Sequence, residues 1–333
     1  MAVYLITGAA GFIGSSLVRA LLARGERVRA LDNFETGKRE NLEGMLGQID
    51  FQEMDILEFD RLARFCQGVD YVLHQAAIPS VPWSFADPAR THEVNLTGVL
   101  NVLRACHGAG VKRVVYAASS AAYGETEIQP KQETMLPEPV SPYAVQKVAG
   151  ELYMRCFARA YGLETVCLRY FNIFGPRQDP GSPYSGVIAR FITQMLEGEA
   201  PTVFGDGGQS RDFTYIENVV QANLAAALRP AGDVAGQCFN IGTGRQITLN
   251  HMFRVLCGIT GFDGQLKYAP VREGDVRHSQ ADISLAQKAL KYVPEVGFEE
   301  GLKRTVEWYR EKMAAPLPAL ASVVAESDYR KVG

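Results

Sequence analysis

The chain has 333 residues, of which 47% are hydrophobic and 21% charged, and its formal net charge is −3. This composition is typical of a globular protein with one large or two smaller domains, and it gives no support for a nucleic-acid partner or an anionic membrane surface. No apolar run reaches the ~18 residues of a membrane-spanning helix, and the six cysteines lack C-x-x-C spacing. We therefore predict a cytoplasmic protein with reduced core cysteines, no membrane partner and no metal site.

The N-terminal segment carries the strongest local signal. A short buried strand is predicted over residues 3–7, and Gly8, Gly11 and Gly14 follow it in TGAAGFIG, before a helix-like run over 15–23. Glycines in such a turn let the backbone approach a pyrophosphate, and the next helix presents free N–H groups and its positive dipole end. The pattern predicts a dinucleotide site.

An acidic residue closes the second predicted strand, which covers residues 26–31. Asp32 stands where a carboxylate can bind the adenosine ribose diol. Because a carboxylate repels a ribose 2′-phosphate, this position favours NAD over NADP. Lys38 and Arg39 lie nearby and leave the NADP alternative open at this point.

Strands and helices continue to alternate after Asp32. Strands are predicted over 50–53, 71–74 and 113–118, with a helix over 88–109. This alternation indicates a doubly wound parallel sheet.

A helix is predicted to begin after a polar, proline-rich loop. Ser141 is a plausible N-cap before Pro142, and Tyr143 and Lys147 then stand at i and i+4 on one helix face. An ammonium beside a phenol favours the phenolate, so the pKa of Tyr143 is expected to fall from about 10 toward neutrality. That would make Tyr143 a general base near pH 7. A serine at the end of strand 113–118, Ser119 or Ser120, could bond the same substrate oxygen.

The G-x-x-G-x-x-G spacing together with Tyr143 and Lys147 resembles the extended short-chain dehydrogenase/reductase family, over roughly residues 2–309. The resemblance implies a Rossmann-type doubly wound parallel sheet with a smaller, mixed α/β C-terminal substrate-binding lobe. Residues 1–170 would form mainly the NAD-binding domain, completed by segments near 212–243. Residues 171–315 would form mainly the UDP-sugar-binding lobe, and 316–333 a tail.

The resemblance also implies a set of NAD contacts. Asp55 and Ile56 match the family's adenine-contacting pair, and Asn95 matches its helix asparagine. The expected cofactor-binding residues are Gly8, Gly11, Phe12, Ile13, Gly14, Asp32, Asn33, Asp55, Ile56, Gln75, Ala76, Ala77, Asn95, Tyr143, Lys147 and Tyr170. For His74, which precedes Gln75, we favour a buried, hydrogen-bonded histidine over a metal ligand or general base.

Substrate contacts follow from the same resemblance. Asn172 matches the asparagine that contacts the sugar diphosphate, Ser84 could bond the sugar, and arginine forks suit a diphosphate. The expected substrate-binding residues are Ser84, Ser119, Ser120, Tyr143, Asn172, Val187, Arg190, Phe204, Arg211, Arg272, Asp275 and Ser279. Among these, residues 187, 190 and 204 are expected to wall the uracil.

Within the family, SSAAYG has no carboxylate at the positions used by dehydratases and decarboxylases, and the chain resembles the UDP-galactose 4-epimerase group. Its likeness is greatest to bacterial UDP-N-acetylglucosamine (UDP-GlcNAc) 4-epimerases. In that group a tyrosine shortly after R-E-G-D restricts the enzyme to unacetylated sugars, and here the position is Ser279. Serine leaves room for an N-acetyl group, which predicts UDP-GlcNAc and UDP-N-acetylgalactosamine (UDP-GalNAc). UDP-glucose and UDP-galactose also fit.

The resemblance implies transient oxidation at C4. Tyr143 removes the O4 proton, Ser119 bonds O4, and Lys147 holds the nicotinamide ribose, with Ser120 as the rival serine. A homodimer through a four-helix bundle, built from helices 88–109 and 141–161, is also implied. The alternatives are a UDP-hexuronate 4-epimerase, another NAD-dependent nucleotide-sugar oxidoreductase, and a non-catalytic NAD-binding sensor. The three intact catalytic residues argue against a sensor.

Overall fold

The computed structural model describes residues 1–181, 186–271 and 276–314. Its strands are β1 (Val3–Thr7), β2 (Arg27–Asp32), β3 (Asp50–Glu53), β4 (Tyr71–His74), β5 (Arg113–Ser119), β6 (Glu164–Tyr170), β7 (Ile173–Phe174), β8 (Thr202–Phe204), β9 (Ser210–Arg211), β10 (Thr214–Tyr215), β11 (Gln237–Ile241), β12 (Ile247–Thr248) and β13 (Lys267–Ala269).

Helices alternate with these strands. They are α1 (Phe12–Ala23), α2 (Phe59–Phe65), α3 (Val81–Ala86), α4 (Pro88–His92), α5 (Gly98–Ala109), α6 (Pro142–Ala160), α7 (Val187–Leu196), α8 (Ile216–Leu228), α9 (Ala231–Val234), α10 (Leu249–Thr260), α11 (Ser284–Leu290) and α12 (Phe298–Ala314). Among the described residues, no helix has both the length and the apolar character needed to cross a membrane.

A seven-stranded sheet in the order β11-β6-β5-β4-β1-β2-β3 forms the centre of the fold. Each neighbouring pair of strands is parallel. The chain winds outward from β1 in both directions, so the order reverses between β1 and β4. In open parallel sheets, ligands bind beyond the carboxyl ends of the strands at such a switch point. The predicted doubly wound parallel sheet is therefore confirmed.

Helices cover both faces of this sheet, which is why its central strands read as apolar runs. Successive residues of a strand point to opposite faces. Thus Tyr4 and Ile6 of β1 join one hydrophobic cluster with Leu17 of α1, whereas Leu5 joins the other cluster with Val102 of α5.

The predicted helix over 88–109 is present with an interruption. A π-helical turn, Glu93–Thr97, lies between α4 and α5. Such turns inside helices are frequent at functional sites, and this one holds Asn95. Gly98 follows directly, and a Cβ atom there would stand 2.4 Å from Cδ1 of Ile56. Glycine is needed at this position so that α5 can pack against Ile56.

The later chain forms short strand pairs, β7 with β10, β8 with β13 and β9 with β12. In the chain between β10 and β12, α8 and β11 return to the central sheet, where β11 pairs with β6. The division into a cofactor domain and a UDP-sugar lobe stays a prediction. The tail, 316–333, lies outside the described residues.

Candidate active site

The glycine turn joins β1 to α1. Gly8 has a φ of +67°, and a Cβ atom there would lie 2.7 Å from the backbone nitrogen of Ala76. A Cβ atom on Gly14 would lie 2.0 Å from the carbonyl oxygen of Gly8. Helix α1 begins at Phe12; its N-cap residue, Gly11, supplies no side-chain cap, and its first turn holds no acidic residue. Its leading amides are therefore suited to an anion such as a dinucleotide pyrophosphate.

Asp32 ends β2 beside this turn. Its carboxylate accepts hydrogen bonds from the backbone N–H of Ala10 at 2.9 Å and of Phe34 at 2.8 Å. Burial raises the pKa of Asp32, and these bonds oppose the rise. Lys38 and Arg39, the two basic residues that kept NADP as an alternative cofactor, both form ion pairs. Lys38 pairs with Asp179 at 2.9 Å and Arg39 with Glu53 at 2.8 Å. Asp32 is thus a carboxylate held beside the turn, and a carboxylate there favours NAD over NADP.

Arg90 of α4 links Asp55, one of the predicted adenine contacts, to Glu35, and sequence reasoning missed it. Its guanidinium donates to Glu35 at 2.7 and 3.2 Å and to Asp55 at 3.4 Å. Asn33 also donates to Asp55, at 2.9 Å. The arginine thus links three segments that are far apart in the chain. An Arg on a predicted helix gave no local signal of this role.

His74 ends β4 and is buried. Its Nδ1 lies 2.7 Å from Oγ1 of Thr7. Burial, together with the charge of Lys147, lowers the pKa of His74 to about 3. A buried, hydrogen-bonded histidine is what we predicted, and the structure confirms it.

The segment after β4 is held by a polar group that includes Asn223 of α8. Gln75 donates to Oδ1 of Asn223 at 3.2 Å, and Asn223 donates to the Tyr170 hydroxyl at 2.8 Å. Sequence reasoning found Gln75 and Tyr170 but not Asn223, because nothing local marks the asparagine. Gln75 and Tyr170 are thereby brought together at the carboxyl ends of β4 and β6.

Asn95 uses its amide inside the protein. Its Oδ1 accepts from the backbone N–H of Ile78 at 2.8 Å, and its Nδ2 donates to the Ile78 carbonyl at 3.1 Å and to Gln146 at 2.9 Å. Both amide hydrogens are therefore used. The predicted direct contact with NAD is not supported; Asn95 instead fixes the loop after β4 to helix α6.

Helix α6 presents the predicted catalytic face. Ser141 accepts from the backbone N–H of Ala144 at 3.2 Å, which caps the helix as expected. Gly150 lets α6 approach β5, since a Cβ atom there would meet the Tyr116 hydroxyl at 2.5 Å. Tyr143 and Lys147 consequently face the carboxyl end of β5, where Ser119 stands.

Ser119 is the serine that meets the phenol. Its side chain lowers the pKa of the neighbouring Tyr143 phenol, and its Oγ accepts from the backbone N–H of Ala121 at 3.2 Å. Ser120 begins the following 3-10 turn, Ser120–Tyr123. This arrangement favours Ser119 over Ser120 for the catalytic role.

The expected pKa relation between Lys147 and Tyr143 is wrong for the protein alone. Burial raises the pKa of Tyr143, and the neighbouring side chain of Ser119 opposes the rise. Burial also lowers the pKa of Lys147 to about 8, while Glu151 acts in the opposite direction. The lysine Nζ donates to the Ala117 carbonyl at 2.9 Å and lies 5.8 Å from the centre of the Tyr143 ring. Its charge is thus directed at the strand rather than at the phenol.

Ser84 has a different position from the one predicted. The side chain is fully buried, donates to the Val81 carbonyl at 2.7 Å and accepts from the backbone N–H of Tyr143 at 3.0 Å. The predicted sugar contact does not agree with this burial. Ser84 instead fixes α3 to the first turn of α6.

A cavity of about 240 Å³ lies between α7, β8 and β9. It brings together five of the predicted substrate contacts, which are Asn172, Val187, Arg190, Phe204 and Arg211. Asn172 has a positive φ of +32°, a conformation uncommon for a residue with a side chain and typical of functional sites. The cavity is apolar in part and carries two guanidinium groups, which suits a base and a phosphate.

The remaining substrate predictions lie near the cavity or beyond the described chain. The backbone N–H of Ser279 donates to the carbonyl of Ser210 at 3.1 Å, directly before Arg211. Arg272 and Asp275 lie outside the described residues.

Comparisons with known proteins agree with this geometry. Residues 4–242 match the family model described as the NAD dependent epimerase/dehydratase family. A structure of UDP-glucose 4-epimerase with UDP-glucose from Thermotoga maritima has a TM-score of 0.89 and 42% identity, covering 93% of this chain and 99% of its own. UDP-N-acetylglucosamine 4-epimerase from Methanobrevibacter ruminantium M1, in complex with UDP-N-acetylmuramic acid, has a TM-score of 0.89 and 40% identity over 94% and 99%. UDP-glucose 4-epimerase from Thermus thermophilus, complexed with NAD, has a TM-score of 0.84 and 38% identity over 92% and 99%.

Proposed function

Because the chain belongs to the NAD dependent epimerase/dehydratase family, we propose that this NAD-dependent enzyme reversibly inverts C4 of UDP-GlcNAc and UDP-GalNAc. UDP-glucose and UDP-galactose are further substrates of the same site. The observation that carries the proposal is the position of Tyr143, on the face of α6 next to the end of β5, where the side chain of Ser119 lowers the pKa of the phenol. In this proposal Tyr143 is the acid–base group and Ser119 its neighbour at the substrate.

Uridine diphosphate would be held at a distance from the reacting carbon. The cavity offers Arg190 and Arg211 for phosphate oxygens, and Val187 and Phe204 as apolar walls for a pyrimidine. Binding energy gained there keeps a reaction intermediate on the enzyme while its sugar turns. This anchoring is what an epimerase needs and a dehydrogenase that releases its product does not.

Bound NAD supplies the acceptance and return of a hydride at C4. The glycine turn of the protein, Asp32 and the segment after β4 would hold NAD, and Lys147 would bond the nicotinamide ribose. Tyr143 takes the O4 proton, and Ser119 donates a hydrogen bond to O4. The positive charge that accompanies the oxidised cofactor favours the Tyr143 phenolate, against the burial that raises its pKa. The resulting 4-keto sugar rotates about its diphosphate linkage, and Tyr143 returns the proton when C4 is reduced on its other face.

Replacing Ser279 with tyrosine is expected to close the pocket beside the C2 substituent. An added ring in a packed site costs about 1–3 kcal/mol, so turnover of UDP-GlcNAc should fall roughly tenfold or more. Turnover of UDP-glucose, which has only a hydroxyl at C2, should change by less than about threefold by the same reasoning. Chromatography of the UDP-sugars measures both. Ser279→Ala is the matched control and should keep both activities. Equal losses of activity for both sugars in Ser279→Tyr would contradict the assignment of Ser279 as the residue that selects for the C2 substituent.

We propose further that the enzyme is a homodimer through α4–α5 and α6. Val145 and Leu152 lie seven residues apart on the outer face of α6 and are 52% and 58% exposed. Residues at this spacing form one apolar stripe, which is typical of a helix-pairing surface. The partner in this proposal is a second copy of the chain.

A charge in this stripe should separate the two copies. We expect Leu152→Glu to sediment as a monomer while wild type sediments as a dimer, because a carboxylate would be desolvated at the centre of the bundle. The exposed Leu228→Glu change, at the end of α8, serves as control and should stay dimeric. A wild-type monomer, or a dimeric Leu152→Glu variant, would contradict the four-helix interface.

A further inference from the structure

The backbone around Ser279 forms hydrogen bonds with a neighbouring segment on each of its two sides. On one edge, Ser210 donates from its N–H to the Arg277 carbonyl at 3.0 Å and accepts from the N–H of Ser279 at 3.1 Å. On the other edge, the N–H of Lys131 donates to the Gln280 carbonyl and its carbonyl accepts from Asp282, both at 2.8 Å. Ser279 therefore lies between β9, which borders the cavity, and the loop that separates Ser119 from Tyr143.

One side chain bonds the backbone on either side of Ser279. Gln129 donates from Nε2 to the His278 carbonyl at 2.7 Å and accepts at Oε1 from the N–H of Gln280 at 3.0 Å. The next residue in its own loop, Pro130, has no backbone N–H to donate. The carboxamide of Gln129 therefore supplies the donor and acceptor that extend the backbone pairing past Ser279.

The opposite edge is reinforced at the same place. The Oγ of Ser210 lies 2.8 Å from Nδ1 of His278, so the residue preceding Ser279 is tied to β9 through its side chain as well. With Gln129 on one side and Ser210 on the other, the peptide groups that flank Ser279 have fixed partners. The position of the Ser279 side chain is thus set by residues that need not touch the substrate.

We propose that Gln129 is a positioning residue that places Ser279 and thereby sets selectivity for the C2 substituent of the sugar. The inference rests on the proposed function, because selectivity at C2 has meaning only if the enzyme accepts UDP-sugars. Gln129 lies in the segment that joins the catalytic serine to the catalytic tyrosine, so it connects Ser279 with the segment that carries the reacting groups. Loss of its two bonds would leave the His278 carbonyl and the Gln280 N–H without their side-chain partners.

The test compares two glutamines of the same loop. Gln129→Met keeps the length of the side chain and removes both hydrogen bonds. Gln132→Met is the control, because Gln132 is exposed and bonds the side chain of Asp282 at 3.2 Å, away from the backbone of residues 278–280. For each variant, kcat/KM is measured with UDP-GlcNAc and with UDP-glucose, alongside the thermal unfolding midpoint and the bound NAD.

In Gln129→Met, we expect the ratio of kcat/KM for UDP-GlcNAc to that for UDP-glucose to fall about fivefold or more, as two ordinary hydrogen bonds allow. The ratio should stay at the wild-type value in Gln132→Met. A merely structural role would lower both activities together and leave the ratio unchanged, which would overturn the inference. If Gln129→Met does not fold, Gln129→Glu, which keeps an acceptor for Gln280, is measured in its place and must shift the same ratio. Wild type that converts neither sugar would instead refute the proposed function.

Discussion

Tyr143→Phe is expected to remain folded, to keep its NAD and to lose turnover by about 10²–10⁴-fold, the usual contribution of general acid–base catalysis. The substitution removes one oxygen atom and retains the ring. That oxygen is the group whose pKa the side chain of Ser119 lowers. Without it, the O4 proton has no acceptor when C4 is oxidised and no donor when C4 is reduced.

The loss must be chemical and not structural. Bound NAD is quantified after acid extraction, and the unfolding midpoint is compared with wild type. Tyr161→Phe is the matched control, because Tyr161 follows the end of the same helix and its ring stacks on Phe157. It should retain activity. A Tyr143→Phe enzyme with more than about a tenth of wild-type turnover would contradict the assigned role, since general acid–base catalysis contributes at least about 10²-fold.

Arg169→Met is expected to destabilise the protein by about 3–5 kcal/mol, because it leaves a buried carboxylate without its counter-ion. Arg169 and Glu151 form two hydrogen bonds of 2.9 and 2.7 Å, and their side chains are only 3% and 5% exposed. The guanidinium also lies 4.7 Å from the centre of the Tyr123 ring. The pair joins β6 to α6, the helix that carries Tyr143.

Denaturant unfolding of the NAD-loaded protein measures this loss. A double variant, Arg169→Met with Glu151→Met, should recover most of it, because both charges are then absent from the interior. Arg304→Met breaks exposed pairs with Glu300 and Glu217, 2.8 and 2.9 Å long, and should cost less than about 1 kcal/mol. If Arg169→Met costs no more than Arg304→Met, the buried pair does not hold α6 on the sheet.

The sequence was sufficient wherever the signal is local. The strands over 3–7, 50–53 and 71–74 were predicted at their observed limits. Helix α6 was predicted from Ser141 and Pro142, and its cap has the expected form. Helix α1 begins at Phe12, earlier than the predicted residue 15, because the glycine turn itself leads into the first helical turn. These features depend on neighbours within a few residues, which a sequence displays directly.

The features that could not be predicted from the sequence are contacts between residues far apart in the chain. Gln129 and His278 are 149 positions apart, and Gln75 and Asn223 are 148 apart. Helical spacing placed Tyr143 and Lys147 on one face, but it could not show that the Ala117 carbonyl would take the lysine ammonium. Nor could a motif match show that Ser84 is enclosed between α3 and α6. Tertiary packing decides these contacts.

The most direct test of the proposed epimerisation follows the hydrogen at C4. Purified enzyme with its bound NAD is incubated with UDP-GlcNAc in D₂O, without added cofactor, and the products are separated and examined by mass spectrometry while absorbance is followed at about 340 nm, where reduced nicotinamide absorbs. We predict UDP-GalNAc that carries no deuterium at C4, with no accumulation of NADH, because the abstracted hydride returns to the same carbon. Deuterium at C4, steady growth of NADH, or recovery of unchanged UDP-GlcNAc would contradict this mechanism.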